Sequence, residues 1–122
     1  MREFLRSGAL LAGLGLMAAA GPAVAQETRT FSGIASYYAK NYSGKTASGE
    51  KYDETQFTAA HKTLPFGTRV VVTDPKTRRS VTVRVNDRGP FIKGRVIDLS
   101  YAAASAMRMH ARGLIKVTAT TE

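Results

Sequence analysis

Two runs of alternating residues, 68–73 and 80–86, constrain this chain more than any other feature. Thr68 to Thr73 places Val70 and Val72 on one face, with Arg69, Val71 and Thr73 on the other. Ser80 to Asn86 places Val81, Val83 and Val85 on one face, with Thr82 and Arg84 opposite. A period of two belongs to a half-buried strand, because successive side chains alternate across a pleated sheet. Between the runs, Asp74-Pro75-Lys76-Thr77-Arg78-Arg79 is a turn sequence, with Pro75 suited to an early turn position. The pair reads as a β-hairpin. Shorter strand signals lie at Phe31 to Tyr38, Phe57 to His61 and Arg95 to Leu99. A last strand, Leu114 to Thr120, turns Ile115, Val117 and Ala119 away from Leu114 and Lys116. Ser100 is an N-cap for an alanine-rich helix over Tyr101 to Met109, with Gly113 ending the segment. Ala39 to Glu54 has no period and contains Asn41, Gly44 and Gly49; it is a long loop, of the kind that is functional or disordered. The expectation is an all-β domain with one short helix, about six strands, of small-barrel type.

The first residues do not belong to that domain. Arg2 and Arg6 precede an apolar run from Ala9 to Ala20, Gly21-Pro22 breaks it, and Ala23-Val24-Ala25 is a small-x-small cleavage site. Residues 1–25 read as a secretory signal peptide cut after Ala25, too short in its apolar part for a comfortable membrane span. Residues 26–122 are then one small domain. Exported domains of this size often rely on disulfides, but the chain contains no cysteine. Stability must come from a closed, well-packed sheet or a similar architecture, and no cysteine is available for lipid attachment. The expected product is soluble, monomeric and periplasmic. The formal net charge is +9. Such a balance points to anionic polymers, and export turns attention from nucleic acid to lipid headgroups, cell-wall glycans and envelope phosphates.

Candidate chemistry concentrates at strand ends and in the long loop. Asp87 directly follows the second alternating run, beside Arg88, and Asp98 lies near the end of the short run Gly94 to Leu99. Strand ends beside loops are where a rigid scaffold presents chemistry. The alternatives are a turn made by Asp87 and a helix served by Asp98. Glu50 lies in the long loop and is a general acid only if burial or a second carboxylate raises its pKa. His61 ends a short strand, as a catalytic or a structural group. Arg88 either pairs with a carboxylate or binds a substrate carboxylate. Tyr37, Tyr38 and Tyr42 offer aromatic faces of the type that suits sugar rings or core packing. His110 reads as a surface residue. With two histidines, no cysteine and no ligand spacing, no metal is expected. No phosphate-binding glycine loop or nucleophile elbow is present, and no cofactor is expected.

Several linked segments resemble the rare lipoprotein A family of bacterial double-psi β-barrels. They are Gly33 to Tyr38, Gly44 to Asp53, Thr58 to Thr68, Val85 to Phe91 and Gly94 to Ala104, in family order over nearly the whole of 26–122. The resemblance implies a six-stranded barrel with two crossing psi loops, a fold shared with expansins and some lytic transglycosylases. Active members are lytic transglycosylases that cut peptidoglycan glycan strands stripped of their peptides. By motif, their important Glu, His and Asp correspond to Glu50, His61 and Asp87, and Asp98 matches the carboxylate essential in expansins. On a glycan substrate, Tyr37 and Tyr38 are the candidates for sugar stacking and Arg88 for binding the lactyl carboxylate, with a structural salt bridge as the alternative for Arg88. Four positions depart from the family: Tyr37 stands where Trp is usual, and Ala39, Arg78 and Arg108 lie at or near positions where Gly is usual. The glycan-binding repeat domain and lipid-attachment cysteine of many relatives are absent from this sequence.

The implied reaction cleaves the bond between N-acetylmuramic acid and N-acetylglucosamine. One carboxyl group protonates the bridging oxygen, and the muramyl 6-hydroxyl closes a 1,6-anhydro ring without water. On this reading the acid/base role falls to Asp87 or Asp98, with Glu50 and His61 tuning or positioning. The resemblance implies glycan strands as the main partner, with amidases or division proteins as further ones. A non-catalytic, expansin-like glycan-binding module and an interaction protein are the alternatives.

Overall fold

The computed structural model of the protein describes residues 27–122, so the leader and its cleavage site lie outside the described residues. Six strands run in chain order: β1 Thr30–Tyr37, β2 Thr58–Ala60, β3 Arg69–Thr73, β4 Ser80–Asp87, β5 Arg95–Leu99 and β6 Ile115–Thr121. A single described helix, α1 Tyr101–Ala106, follows β5. The strands close into a barrel in the order β1-β5-β2-β4-β3-β6. β1 pairs with β5 and β2 with β4 in parallel; every other pairing is antiparallel. This is the six-stranded double-psi barrel that the sequence leads one to expect.

The valine alternation fills the interior. Val70 and Val72 of β3, Val81, Val83 and Val85 of β4, and Ile115, Val117 and Ala119 of β6 are buried together with Ile97 and Leu99 of β5. Each valine, isoleucine or leucine side chain removed from water contributes about 1.5–3 kcal/mol, and closure leaves no unpaired sheet edge. β1 comes close to β5 at Gly33, where a Cβ would lie 2.5 Å from Val96 Cγ1, so only glycine fits. Among the described residues no helix is long and apolar enough to cross a membrane.

The helix starts as expected. Ser100 Oγ accepts from the Ala103 amide and donates to the Gln56 carbonyl, tying α1 to the segment before β2. It ends earlier than the alanine run predicts, at Ala106 rather than near Met109. The Arg108 amide bonds Ser105 O and the Met109 amide bonds Ala104 O, with Arg108 at φ 56°. That is a Schellman stop, and an arginine occupies the left-handed position glycine normally takes. The hairpin between β3 and β4 is held from inside. Asp74, 1% exposed, accepts from the Lys76 amide and the Thr77 hydroxyl and pairs with Arg112. Burial opposes its ionisation, but those bonds outweigh it and hold the carboxyl below the ordinary range.

Candidate active site

Ala60 of β2 lies opposite Asp87 of β4 on one side and Asp98 of β5 on the other. The two aspartates are thus two strands apart at one level of the barrel wall, with about 10 Å between Cα positions. They share a face for a reason that lies in β4. Thr58 and Ala59 pair with Arg84 and Val85, but Ala60 pairs with Asp87. Asn86 is an extra residue, a bulge in a parallel pair. Without it, Asp87 would continue the inward set of Val81, Val83 and Val85. The bulge turns it onto the face of Ala60 and Asp98.

Each aspartate has its own setting. Asp98 is half-buried and accepts from the hydroxyl of Ser36, its partner across β1–β5. Burial pushes its carboxyl above the ordinary range and the charge of Asp87 adds to the rise, while Ser36 and Arg95 pull the other way without cancelling it. Asp87 is held by three donors: Tyr38 OH at 2.5 Å, the Ala47 amide at 2.8 Å and the Arg88 amide at 2.9 Å. Burial, then the bond to Asp87, pushes the Tyr38 hydroxyl far above its ordinary range, so it remains a donor. Asp98 therefore does not cap α1, and Asp87 is more than a turn residue.

The long loop is an ordered clasp on the end of β4. Lys45 bridges Lys51, and the Thr46 amide bonds Glu50 O. The Ala47 amide reaches Asp87, and the Ser48 amide bonds Asn86 O. Glu50 Oε1 accepts from Arg84 Nη1 and Asn86 Nδ2, both at 3.0 Å. The Arg84 bond, then that of Asn86, holds the Glu50 carboxyl below its ordinary range. Its side chain is 46% exposed. The condition under which Glu50 would be a proton donor is not met; it braces the bulge residue that orients Asp87.

His61 follows Ala60, and alternation turns its ring away from the aspartate face. Its Nδ1 accepts from the Thr63 and Leu64 amides, both at 3.1 Å, and its ring packs on Phe31. Burial, then the positive charges of Arg88, Arg29 and Lys62, hold its pKa below the ordinary value. Its backbone amide bonds the Asp87 carbonyl. Arg88 pairs with no carboxylate among the described residues. Its guanidinium donates to the His61 and Leu64 carbonyls and lies 4.0 Å over the Phe66 ring. It clamps the 61–66 turn.

The tyrosines divide. Tyr37 points to the other side of β1, edge-on to His110; His110 is exposed, stacked on Tyr101 and bonded to Ser105. Tyr38 faces the aspartates and stacks on Tyr52, with Tyr42 edge-on to both. This ladder leads to a cavity of about 530 Å³ lined by Asn41, Tyr42, Lys51, Tyr52, Asp53 and Glu54. Among the described residues no three His, Asp or Glu side chains converge as a metal site would require.

Residues 30–119 match the family model described as lytic transglycolase. The chain belongs to the rare lipoprotein A family. Among relatives, it is 53% identical over 93 residues to the probable endolytic peptidoglycan transglycosylase RlpA of Synechocystis sp., covering 75% of this chain and 29% of that protein. It is 50% identical over 97 residues to the endolytic peptidoglycan transglycosylase RlpA of Campylobacter jejuni, covering 79% of this chain and 35% of that protein. The chain thus spans about a third of the length of the curated relatives it matches. Among solved structures, the Streptomyces papain inhibitor superposes with a TM-score of 0.63 at 26% identity, over 77% of this chain and 96% of that one. An expansin of Clavibacter michiganensis gives 0.59 at 24% identity, over 77% and 50% of the two chains, which shows the shared fold.

Two departures from the rare lipoprotein A pattern now have a conformation. Arg78 and Arg108 both sit at positive φ, 68° and 56°, where glycine is comfortable. Sequence reasoning singled out the two aspartates and Tyr38, but not Ser36, Arg84, Asn86 or Tyr52. Ser36 and Tyr38 are two apart on one strand, and that spacing gains meaning only once β1 is known to pair with β5.

Proposed function

We propose that this domain is a lytic transglycosylase acting on peptide-free peptidoglycan strands, with Asp98 as the acid and base. The single observation that carries the reading is the setting of Asp98: half-buried, raised in pKa, and on one face with a second, fully hydrogen-bonded carboxylate. A carboxylic acid whose pKa is raised above the ordinary range can give its proton to the glycosidic oxygen as the bond to muramyl C1 breaks. The muramyl C6 oxygen then bonds to C1, and its proton passes to the Asp98 carboxylate. No water is consumed. Asp87 faces the positive charge that develops at the anomeric carbon, and Tyr38 and Ala47 hold it there. Glu50 and Asn86 position Asp87 through the bulge.

Phe91 supplies the aromatic surface that Tyr37, turned inward, does not. Its ring is 78% exposed, and it packs 3.5 Å from where a Cβ on Gly89 would be, with Asp98 Oδ2 at 3.9 Å from the same point. A pyranose stacked there lies beside the acid. The basic surface suits a denuded strand, because peptide removal leaves each muramyl lactyl group as a carboxylate. Such a substrate lies outside the cytoplasm, in keeping with a leader at residues 1–25, a soluble periplasmic product, and amidases or division proteins as further partners.

The test is product mass from denuded sacculi. A 1,6-anhydro end weighs one water less than a hydrolysed end. Release of 1,6-anhydro-ended glycan fragments by the wild type, lost in Asp98→Asn, supports the reading. Binding to sacculi without release would make the domain a glycan-binding module.

A further inference from the structure

A second cavity, of about 420 Å³, lies off the aspartate face, bounded by Arg29, Thr30, Phe31, His61, Lys62, Leu64 and Val96. Its composition is specific. Phe31, Leu64 and Val96 form an apolar wall, and no acid is present among the lining residues. Arg29 and Lys62 are exposed cations that make no ion pair among the described residues. His61 adds a fixed donor. With Nδ1 accepting from two amides, the neutral ring carries its proton on Nε2. Becoming an imidazolium would break both bonds, and burial, then the surrounding cations, oppose it as well. A ring locked in this way does not shuttle protons; it donates one hydrogen bond. The walls therefore ask for a ligand with an apolar body, a hydrogen-bond acceptor and a negative charge.

We propose that this cavity is a carbohydrate subsite for the muramyl residue, taking the lactyl carboxylate at Arg29, Lys62 and His61 Nε2, with the lactyl and acetamido methyls against Phe31, Leu64 and Val96. The proposal rests on the glycan reading above and narrows it. The cavity selects strands whose lactyl group is a free carboxylate, because a peptide amide at that position carries no charge for the two cations. Its place in the fold suits a strand that also reaches the acid. His61 directly follows Ala60, between the aspartates, and Val96 lies two residues before Asp98. At about 3.3 Å per strand residue the two regions are within the span of neighbouring sugars.

The discriminating probes are N-acetylmuramic acid and N-acetylglucosamine, which differ only by the lactyl ether. Titrations of the purified Asp98→Asn protein are followed by NMR of the His61 ring and the Lys62 amide. N-acetylmuramic acid is expected to shift both, at least fivefold more tightly than N-acetylglucosamine, with the preference falling as salt is raised. Replacing Arg29 and Lys62 together by Gln is expected to abolish the preference while a melt shows the fold intact. Equal shifts with the two sugars, or a preference that survives the double replacement, would overturn the subsite. Anhydro product from the wild type without that preference sinks the subsite and leaves the enzyme. The preference without anhydro product sinks the enzyme and leaves the subsite.

Discussion

Replacing Asp98 by Asn removes one titratable proton and keeps the side chain's shape, so chemistry and stability should move in opposite directions. Ser36 can still donate to the remaining carbonyl oxygen, and the neighbouring Ile97 and Leu99 stay buried. General acid catalysis contributes roughly 10²–10⁴-fold, and anhydro-sugar release should fall by about that factor. Stability follows from the raised pKa. Below its ordinary value of 3.8, the carboxyl is protonated in both folded and unfolded chains, and wild type and variant should melt alike. As pH rises, the unfolded chain ionises first and the folded chain later, so the wild type loses stability relative to the variant. At neutral pH Asp98→Asn is therefore at least as stable as the wild type, and its advantage vanishes in acid. Wild-type turnover should fall as pH rises through the raised folded pKa, and the residual activity of the variant should lack that limb. Asp87→Asn should cost less activity. Thermal melts from pH 3 to 8, run beside the product-mass assay, decide the matter. A variant that melts well below wild type at neutral pH would make Asp98 a structural acid, and near-normal anhydro release from it would remove Asp98 from the reaction.

Arg108→Gly and Arg78→Gly should each stabilise the domain by about 1 kcal/mol, since both relieve a left-handed residue; a Tm rise of about 4–8 °C is expected, and a fall would mean the arginine side chains hold these turns. Asp74→Ala should cost about 3 kcal/mol, because it strips a buried acceptor from Lys76, Thr77 and Arg112; an unchanged urea midpoint would refute that. The chain has no tryptophan, so Phe91→Trp reports alone. Its emission should change on adding denuded glycan, whereas a tryptophan in place of Arg79, at the far end of β4, should stay silent. Intact mass of exported protein should begin at Gln26; retained residues 1–25 would exclude cleavage after Ala25.

Much of this protein is local, and so was legible in the chain. Alternating valines can be satisfied only by strands with one face in the core. Pro75 and the polar residues around it can only turn, and Ser100 before an alanine run caps a helix through its own hydroxyl. Without cysteine the domain has to be held by packing alone, in a closed sheet or a similar architecture, and the barrel is such a sheet. The helix end was misjudged because alanine favours continuation, whereas the actual stop depends on Arg108 accepting a left-handed conformation that its type disfavours.

The candidate site is a different matter. Strict alternation carries Asp87 inward with Val85, and only the pairing of β4 with β2, which leaves Asn86 as a bulge, brings it out beside Asp98. The same holds for Ser36 on Asp98, for Glu50 on Asn86, and for the turning of His61 into a separate cavity. Each depends on which strands lie side by side and in what register. Those are contacts between distant parts of the chain, set by barrel closure, and no local propensity encodes them.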